Sequence, residues 1–128
     1  MTVLDSSVII DYLDGVDDVV EFVDEQPVLR TSSICVYEVL AGELFSSGEP
    51  DLVGTRADFG RVRAIDFSED LALEAAGLQT RLLEDGAPMS PRDLLVAATA
   101  RSVGDELAVS DADFDTDELR EVVAVTRL

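Results

Sequence analysis

The sequence predicts an α/β domain built on a parallel sheet, and two observations support this prediction. Short apolar segments that end in polar residues alternate with longer segments whose apolar residues recur at helical spacing. Strands separated by helices form parallel sheets that are covered by helices on both faces. A single domain spanning 1–128 is expected, because 128 residues with 47% apolar content suffice for one ordinary core.

The individual elements follow from apolar spacing and from the residues that start or stop helices. The first half of the chain predicts a strand at Val3–Asp5, a helix from Ser6 or Ser7 to Leu13 that Gly15 ends, and a helix at Val16–Glu25 that Pro27 ends. These are followed by a predicted strand at Val28–Thr31, a helix from Ser32 or Ser33 to Phe45 with a break at 46–50, and a helix at Asp51–Arg61 that its glycines weaken.

The second half continues the same alternation. It predicts a strand at Val62–Phe67 with Val62 and Ala64, or also Ile65, inward, and a helix from Ser68 to Gly86 with Leu71, Ala75, Leu78, Leu82 and Leu83 at helical spacing. It further predicts a helix from Ser90 or Pro91 to Val103 ended by Gly104, a strand at Leu107–Ser110, a loop and short helix at Asp111–Leu119, and a strand at Val122–Thr126.

The chain is strongly acidic, with 28 acidic residues, nine basic residues and a formal net charge of −19. Self-repulsion of this size is screened at molar salt, where the Debye length falls to about 3 Å. We interpret the charge as an adaptation to salt, of the kind expected in a haloarchaeal, halophilic protein. The alternative is an acidic surface that mimics or repels nucleic acid.

The residue types that are missing restrict the chemistry. The chain has no His, and its nine basic residues are all Arg, so carboxylates, hydroxyls or guanidinium groups must act. Cys35 is the single cysteine and is expected to be a small buried residue in a reducing compartment. No signal pattern and no apolar run near the ~18 residues of a membrane span are found, so a cytoplasmic protein without a membrane partner is expected.

Two acidic residues follow predicted strands. Asp5 ends the first strand, and Asp111 follows the strand at Leu107–Ser110, with Asp113 two residues later. The carboxyl edge of an open α/β sheet is where such folds bind ligands. The competing interpretation is structural, because Asp is a good N-cap and turn residue.

Two further acids lie on predicted helices. Glu38 falls at the margin of the apolar face of its helix, where a carboxylate is costly unless it is paired or bound to a cation. Asp93 stands three residues after Ser90, so it also fits an acidic capping box at a helix that begins with Pro91. Capping and ligand binding by Asp93 are compatible.

Together these acids suggest a metal site. Carboxylates brought to one edge without Lys or His would repel one another strongly, and a hard cation relieves that repulsion. Oxygen ligands favour Mg²⁺ or Mn²⁺ over zinc, which prefers His and Cys.

The motifs, taken in order, resemble those of the PIN-domain nucleases, in particular the VapC-type toxins of prokaryotic toxin-antitoxin pairs. The likeness covers almost the whole chain and rests on four segments: Val3-Leu-Asp5-Ser6-Ser7-Val-Ile-Ile, Tyr37-Glu38-Val-Leu-Ala-Gly, Ser90-Pro-Arg92-Asp93-Leu-Leu-Val-Ala-Ala-Thr-Ala, and Val109-Ser110-Asp111-Ala-Asp113-Phe114.

The resemblance implies a three-layer α/β/α sandwich and a pocket of Asp5, Glu38, Asp93 and Asp111 that holds divalent metal and cleaves RNA. One departure concerns the last motif: the family usually has Thr or Ser two residues before its last acid, where this chain has Val109. The fourth ligand is therefore Asp111 or Asp113, and Ser110 is an auxiliary candidate. Ser6 matches the family's hydroxyl after the first acid.

The mechanism expected from charge is hydrolysis without a covalent nucleophile. Metal would neutralise the scissile phosphate and activate water. Arg92 could hold a phosphate through its planar fork, although a solvated arginine at a helix start is the commoner case. Because the chain has only nine Arg residues to contact phosphate groups, RNA binding must depend on metal bridging, stacking or a partner.

Family analogy also implies partners, namely a cognate antitoxin bound in an apolar groove and a second copy in a homodimer. Groove candidates are Val19, Phe22, Phe45 and Leu52, although burial in the core is the favoured interpretation for each. A housekeeping RNA-processing nuclease and a non-catalytic acidic domain are the alternatives. Receiver domains and haloacid dehalogenase phosphatases are disfavoured because both need a Lys, and the latter also needs an acid where Ser7 stands.

Overall fold

The computed structural model describes residues 1–46 and 48–128, with all their side chains except that of Asp113. The predicted break at 46–50 includes Ser47, which lies outside the described residues. The strands are β1 (Thr2–Leu4), β2 (Leu29–Ser32), β3 (Arg63–Ile65), β4 (Glu106–Val109) and β5 (Val125–Arg127). The helices are α1 (Ser6–Leu13), α2 (Asp17–Glu25), α3 (Ser33–Ser46), α4 (Leu52–Asp58), α5 (Glu69–Glu84), α6 (Pro91–Val103) and α7 (Asp117–Arg120), with a 3₁₀ turn at Ala112–Phe114.

The five strands form one parallel sheet in the order β3-β2-β1-β4-β5. β1 is central, and Leu4 at its end is level with Thr31 of β2 and Ala108 of β4. The Thr31 hydroxyl donates a buried hydrogen bond of 2.7 Å to the Leu4 carbonyl, and Asp5 N–H donates one of 3.0 Å to the Ala108 carbonyl. The residue after β1 is thereby held at the carboxyl edge of the sheet.

Alternate side chains of the central strands enter two separate cores, as the period of two in a strand requires. Val3 and Leu107 pack on one face of the sheet against α5 and α6, including Leu78 and Val96. Leu4 packs on the other face against α1 and α2. The predicted three-layer α/β/α sandwich is therefore confirmed.

Most element boundaries agree with the sequence-based prediction to within a few residues. Pro91 begins α6, and Gly104 ends it in the left-handed region at φ 69°, a conformation that a residue with a Cβ rarely adopts. Ser68 caps α5 by accepting a hydrogen bond from the Leu71 N–H at 3.3 Å. Local stop and start residues thus set the length of the helices around the site.

Three local predictions are wrong. β5 begins at Val125 instead of Val122, because the N–H groups of Val122 and Val123 bond back to the Leu119 carbonyl and extend the turn after α7. Ala64 is exposed because β3 is an edge strand, and the buried residue is Val62, just before it.

Leu83 is the third of these corrections, since it is exposed although its neighbour Leu82 is buried. The buried stripe of α5 is completed by Leu82 one turn after Leu78, and Leu83 lies about 100° further round the helix. Within the described residues, no helix is both long and apolar enough to cross a membrane.

Candidate active site

Asp5 is the buried acid of the site. It follows β1, and its backbone angles (φ −72°, ψ 159°) place it at the N-cap of α1. Asp5 therefore occupies the predicted N-cap position, but its side chain makes no capping bond to a backbone N–H of the described part of α1. One carboxylate oxygen, Oδ2, accepts a hydrogen bond from Ser7 Oγ at 2.8 Å, and the other faces Arg92. Only 3% of the Asp5 side chain is exposed, so it needs these partners.

Glu38 reaches the same place from α3. Its side chain is 31% exposed, as expected for a residue at the margin of the apolar face of this helix. Because β2 lies beside β1 and leads directly into α3, a residue near the start of that helix is brought close to Asp5. Although part of the side chain is exposed to solvent, the carboxylate of Glu38 accepts a hydrogen bond from Arg92.

Asp93 and Arg92 arrive together at the start of α6. Ser90 has the backbone angles of an N-cap, but its hydroxyl makes no capping bond within the described part of the helix. The predicted acidic capping box is therefore wrong in its side-chain contacts. Asp93 instead accepts a hydrogen bond of 2.9 Å from Nη1 of Arg92.

Arg92 lies at the centre of the three acids. Nη2 donates to Asp5 Oδ1 at 2.8 Å, to Ser6 Oγ at 2.7 Å and to Glu38 Oε1 at 2.5 Å. Nε donates to Glu38 Oε2 at 2.7 Å, and Nη1 reaches Asp93. The expectation of a solvated arginine is thus wrong, because its fork matches carboxylates from three separate segments of the chain.

The electrostatics of Arg92 keep it charged. Burial acts to lower the pKa of its guanidinium, but the hydrogen bonds to Glu38 and the charge of Asp5 outweigh burial, so the pKa is raised above its ordinary value. The Arg92 guanidinium also lies 5.9 Å from the centroid of the Phe114 ring, near the limit of a cation-π contact. A permanent positive charge therefore sits among Asp5, Glu38 and Asp93.

Cys35 lies behind this cluster, with Sγ 3.8 Å from Asp5 Oδ1. Burial, followed by the negative charge of Asp5, raises the pKa of the Cys35 thiol to about 12. A thiol that stays protonated near neutral pH is a poor nucleophile. Cys35 is therefore a packing residue, as the sequence indicated.

A second polar group adjoins the first through Ser7. Ser7 Oγ accepts a hydrogen bond from the Ser110 N–H at 3.3 Å, and Ser110 Oγ donates to Asp11 Oδ2 at 3.0 Å. These residues line a shallow depression together with Ile10, Asp111 and Ala112. Asp11 was not considered from the sequence, although its position one helical turn after Ser7 is the signal that could have found it.

Asp111 thus follows β4 at the predicted edge of the sheet and lines the same depression as Ser7, while the Asp113 side chain lies outside the described residues. Among the described side chains, no three acids or cysteines are arranged as ligands of one ion. The donor chemistry nonetheless fits a hard cation, since carboxylate and hydroxyl oxygens converge on one positive centre, the Arg92 guanidinium.

Comparisons with known proteins agree with this fold. The profile of the PIN domain matches residues 2–118. No curated protein sequence gives a significant match.

Solved structures give close matches to the fold at low sequence identity. The chain is similar to DNA-bound VapBC from Salmonella typhimurium (TM-score 0.80, 20% identity, 98% of this chain and 96% of that chain). It is similar to VapBC2 from Rickettsia felis bound to a promoter DNA fragment (TM-score 0.79, 19% identity, 99% and 98%). It is also similar to VapC20 from Mycobacterium tuberculosis, a sarcin-ricin-loop-cleaving toxin (TM-score 0.69, 20% identity, 100% of both chains).

Proposed function

Because this chain belongs to the PIN domain family, we propose that it is an endoribonuclease that hydrolyses RNA phosphodiester bonds with Mg²⁺ or Mn²⁺ and acts as the toxin of a toxin-antitoxin pair. The observation that carries the proposal is the convergence of Asp5, Glu38 and Asp93 on one positive centre at the carboxyl edge of the sheet. A structural relative described as a sarcin-ricin-loop-cleaving toxin supports RNA as the substrate class.

Asp5, Glu38, Asp93 and Asp111, or Asp113 in place of Asp111, would hold the metal. When bound, a divalent ion at such oxygen ligands supplies neutralisation of phosphate charge and activation of water. The residues themselves differ in accessibility: Asp5 is almost fully buried, whereas Glu38 and Asp93 are 31% and 22% exposed. Asp5 is therefore a fixed charge, and Glu38 and Asp93 are the carboxylates that can meet a substrate.

The hydroxyl groups have supporting roles in this proposal. Ser7 orients Asp5 through its hydrogen bond to Oδ2, and Ser110 orients Ser7 through its N–H. Ser6 Oγ faces the same centre as the carboxylates. Arg92 offers a planar fork suited to phosphate oxygens when it is not occupied by carboxylates.

Direct attack by water agrees with the side chains available. The chain has no His or Lys, and the Cys35 thiol is buried with a pKa raised to about 12. A carboxylate is then the protein group that can accept the proton from the attacking water. Glu38 and Asp93 are the candidates, because both are partly open to solvent.

An antitoxin partner and a homodimer are part of the proposal. The antitoxin site would be the groove between α1, α3 and α4, which is lined by Ile10, Leu13, Val39, Gly42 and Thr55 among others. Of the four groove candidates from the sequence, Val19 is buried and Phe22 is half-buried, so they belong to the core. Core burial is wrong for Phe45, which is 83% exposed, and for Leu52, which is also exposed. Phe45 and Leu52 are accessible to a partner, although neither is among the residues that line this groove.

The test is cleavage of an RNA pool at high KCl with Mg²⁺, with Mn²⁺ and with a chelator. The wild type is compared with Asp5→Asn, Asp93→Asn and Asp66→Asn. Asp66 is the matched control, an exposed acid that follows β3 at the same edge of the sheet but at its margin. We expect metal-dependent cleavage by the wild type and Asp66→Asn, and a loss of roughly 100-fold or more in the other two variants.

Circular dichroism confirms that each variant is folded. Equal cleavage by all four proteins, or cleavage that survives the chelator, contradicts the proposal. A metal-binding protein that leaves RNA intact favours the non-catalytic alternative. Co-purification with the product of a neighbouring small reading frame, with loss of cleavage on binding, separates a toxin from a housekeeping RNA-processing enzyme.

A further inference from the structure

The oxygen atoms proposed to hold a metal are already occupied by a side chain of the same protein. Nη2 of Arg92 donates hydrogen bonds to Oδ1 of Asp5 and Oγ of Ser6, while Nε donates one to Oε2 of Glu38. Nη1 takes Oδ1 of Asp93. The Arg92 guanidinium thus binds at least one carboxylate oxygen of each of the three acids Asp5, Glu38 and Asp93.

A divalent ion and the Arg92 guanidinium compete for these oxygens. Both need the same lone pairs, and two positive groups at such short range repel strongly in a partly buried site. Arg92 cannot yield by losing its proton, because a guanidinium stays charged in proteins. A metal ion that binds all three acids therefore has to displace the guanidinium from at least some of these contacts.

Arg92 is also free to move without unfolding the site. Its side chain is 32% exposed, whereas that of Asp5 is 3% exposed. Arg92 is the second residue of α6, so its side chain can turn to solvent while the backbone of the helix stays in place. Asp5 keeps its hydrogen bond from Ser7 when the guanidinium departs.

We propose that Arg92 is a built-in counter-ion that competes with the divalent metal, so that the resting chain holds its carboxylates in an ion-paired, low-affinity state. This inference rests on the proposed metal dependence. Arg92 has two opposite effects in this proposal: it stabilises the metal-free fold by offsetting part of the negative charge of Asp5, Glu38 and Asp93, and it weakens metal binding by occupying their oxygens.

The test measures Mn²⁺ and Mg²⁺ binding by titration calorimetry without RNA, at constant ionic strength, for the full chain. The variants are Arg92→Met, which removes the charge and keeps an unbranched apolar stem, and Arg92→Gln, which can still donate hydrogen bonds to carboxylates. The matched control is Arg101→Met, on the same helix but paired with Glu74 at 3.3 Å, away from the site.

We expect both Arg92 variants to bind metal more tightly than the wild type, on the order of 10- to 100-fold, with Arg101→Met unchanged. In a chelator the Arg92 variants should melt at lower temperature than the wild type, and added Mn²⁺ should raise their melting temperature by more. If Arg92→Met does not fold, the comparison with the wild type is made with Arg92→Gln.

Affinity in both Arg92 variants that equals or falls below that of the wild type overturns the inference and leaves the metal-dependent nuclease standing. Absence of metal binding in the wild type and in both variants overturns the metal dependence itself, and this inference with it. The two failures are therefore distinguishable in one series of titrations.

Discussion

Arg92 and Asp5 are 87 positions apart in the chain, yet Nη2 of Arg92 lies 2.8 Å from Oδ1 of Asp5. The parallel sheet makes this contact possible. Asp5 leaves the central strand β1, and α6 returns the chain to β4, which pairs with β1. A buried acid with few polar partners depends strongly on each of them, so small changes around Asp5 should have measurable effects.

Ser7→Ala should weaken the site without removing an acid. The change deletes the hydrogen bond from Ser7 Oγ to Asp5 Oδ2 and the acceptor for the Ser110 N–H. We expect the free energy of unfolding to fall by about 1 kcal/mol and metal affinity to fall roughly 10-fold. Denaturant unfolding and Mn²⁺ titration measure the two effects. Ser102→Ala removes a hydroxyl bonded to the Thr99 carbonyl on α6 and is the control for stability alone. Unchanged metal affinity in Ser7→Ala would show that Ser7 does not position Asp5.

Asp111→Asn should reduce RNA cleavage by roughly 10- to 100-fold while leaving the melting temperature close to that of the wild type. Asp111 lines the depression next to Ser7, whereas Asp66 follows the marginal strand β3. Asp66→Asn should therefore cleave as the wild type does. If Asp113→Asn loses activity and Asp111→Asn keeps it, the fourth acid is Asp113.

The Cys35 thiol should not react with Ellman's reagent in the native protein at pH 8. Burial and the charge of Asp5 raise its pKa to about 12, so almost none of it is thiolate at that pH. After unfolding in guanidinium chloride, one thiol per chain should react, because the sequence has one cysteine. Rapid labelling of the native protein would contradict the buried position next to Asp5.

Asp115→Asn should lower the melting temperature at pH 7, with a difference that shrinks in acid. Hydrogen bonds from Arg120, with the charges of Arg120 and Arg127, hold the pKa of the Asp115 carboxyl below its ordinary value of 3.8. The folded state therefore favours the ionised form, and the stabilisation is complete above the unfolded pKa and is lost as pH falls through the folded pKa. Melting curves between pH 7 and pH 2 measure this. A difference in melting temperature between the two proteins that grows as the pH falls would contradict this prediction.

Much of the fold was predictable because it depends on local signals. Pro91 and Gly104 mark the ends of α6 in the sequence, and the apolar spacing of α5 identifies its buried stripe apart from Leu83. The start of β5 was not predictable, because Val122 and Val123 are as apolar as strand residues and their bonds to the Leu119 carbonyl are a tertiary outcome.

The acids that converge on Arg92 were predictable from the sequence, but the way they are held together was not. Asp5, Glu38 and Asp93 stood out because each carboxylate is predicted either at the carboxyl edge of the sheet or at a place where burying its charge costs free energy. The position of Arg92 depends on which segments face the start of α6, and no residue near it in sequence indicates that Asp5 and Glu38 do so. For the same reason, spacing alone could not decide between capping and pairing for Asp93, which contacts Arg92.

The order of the strands has a consequence for synthesis of the protein on the ribosome. The central strand β1 and the acid that follows it are made before α6 and β4, which complete the pocket. A chain whose translation stops before Pro91 lacks both Arg92 and Asp93. Such a truncated product carries Asp5 and Glu38 without the guanidinium that bridges them and without Asp93, so the pocket is complete only after α6 has been made.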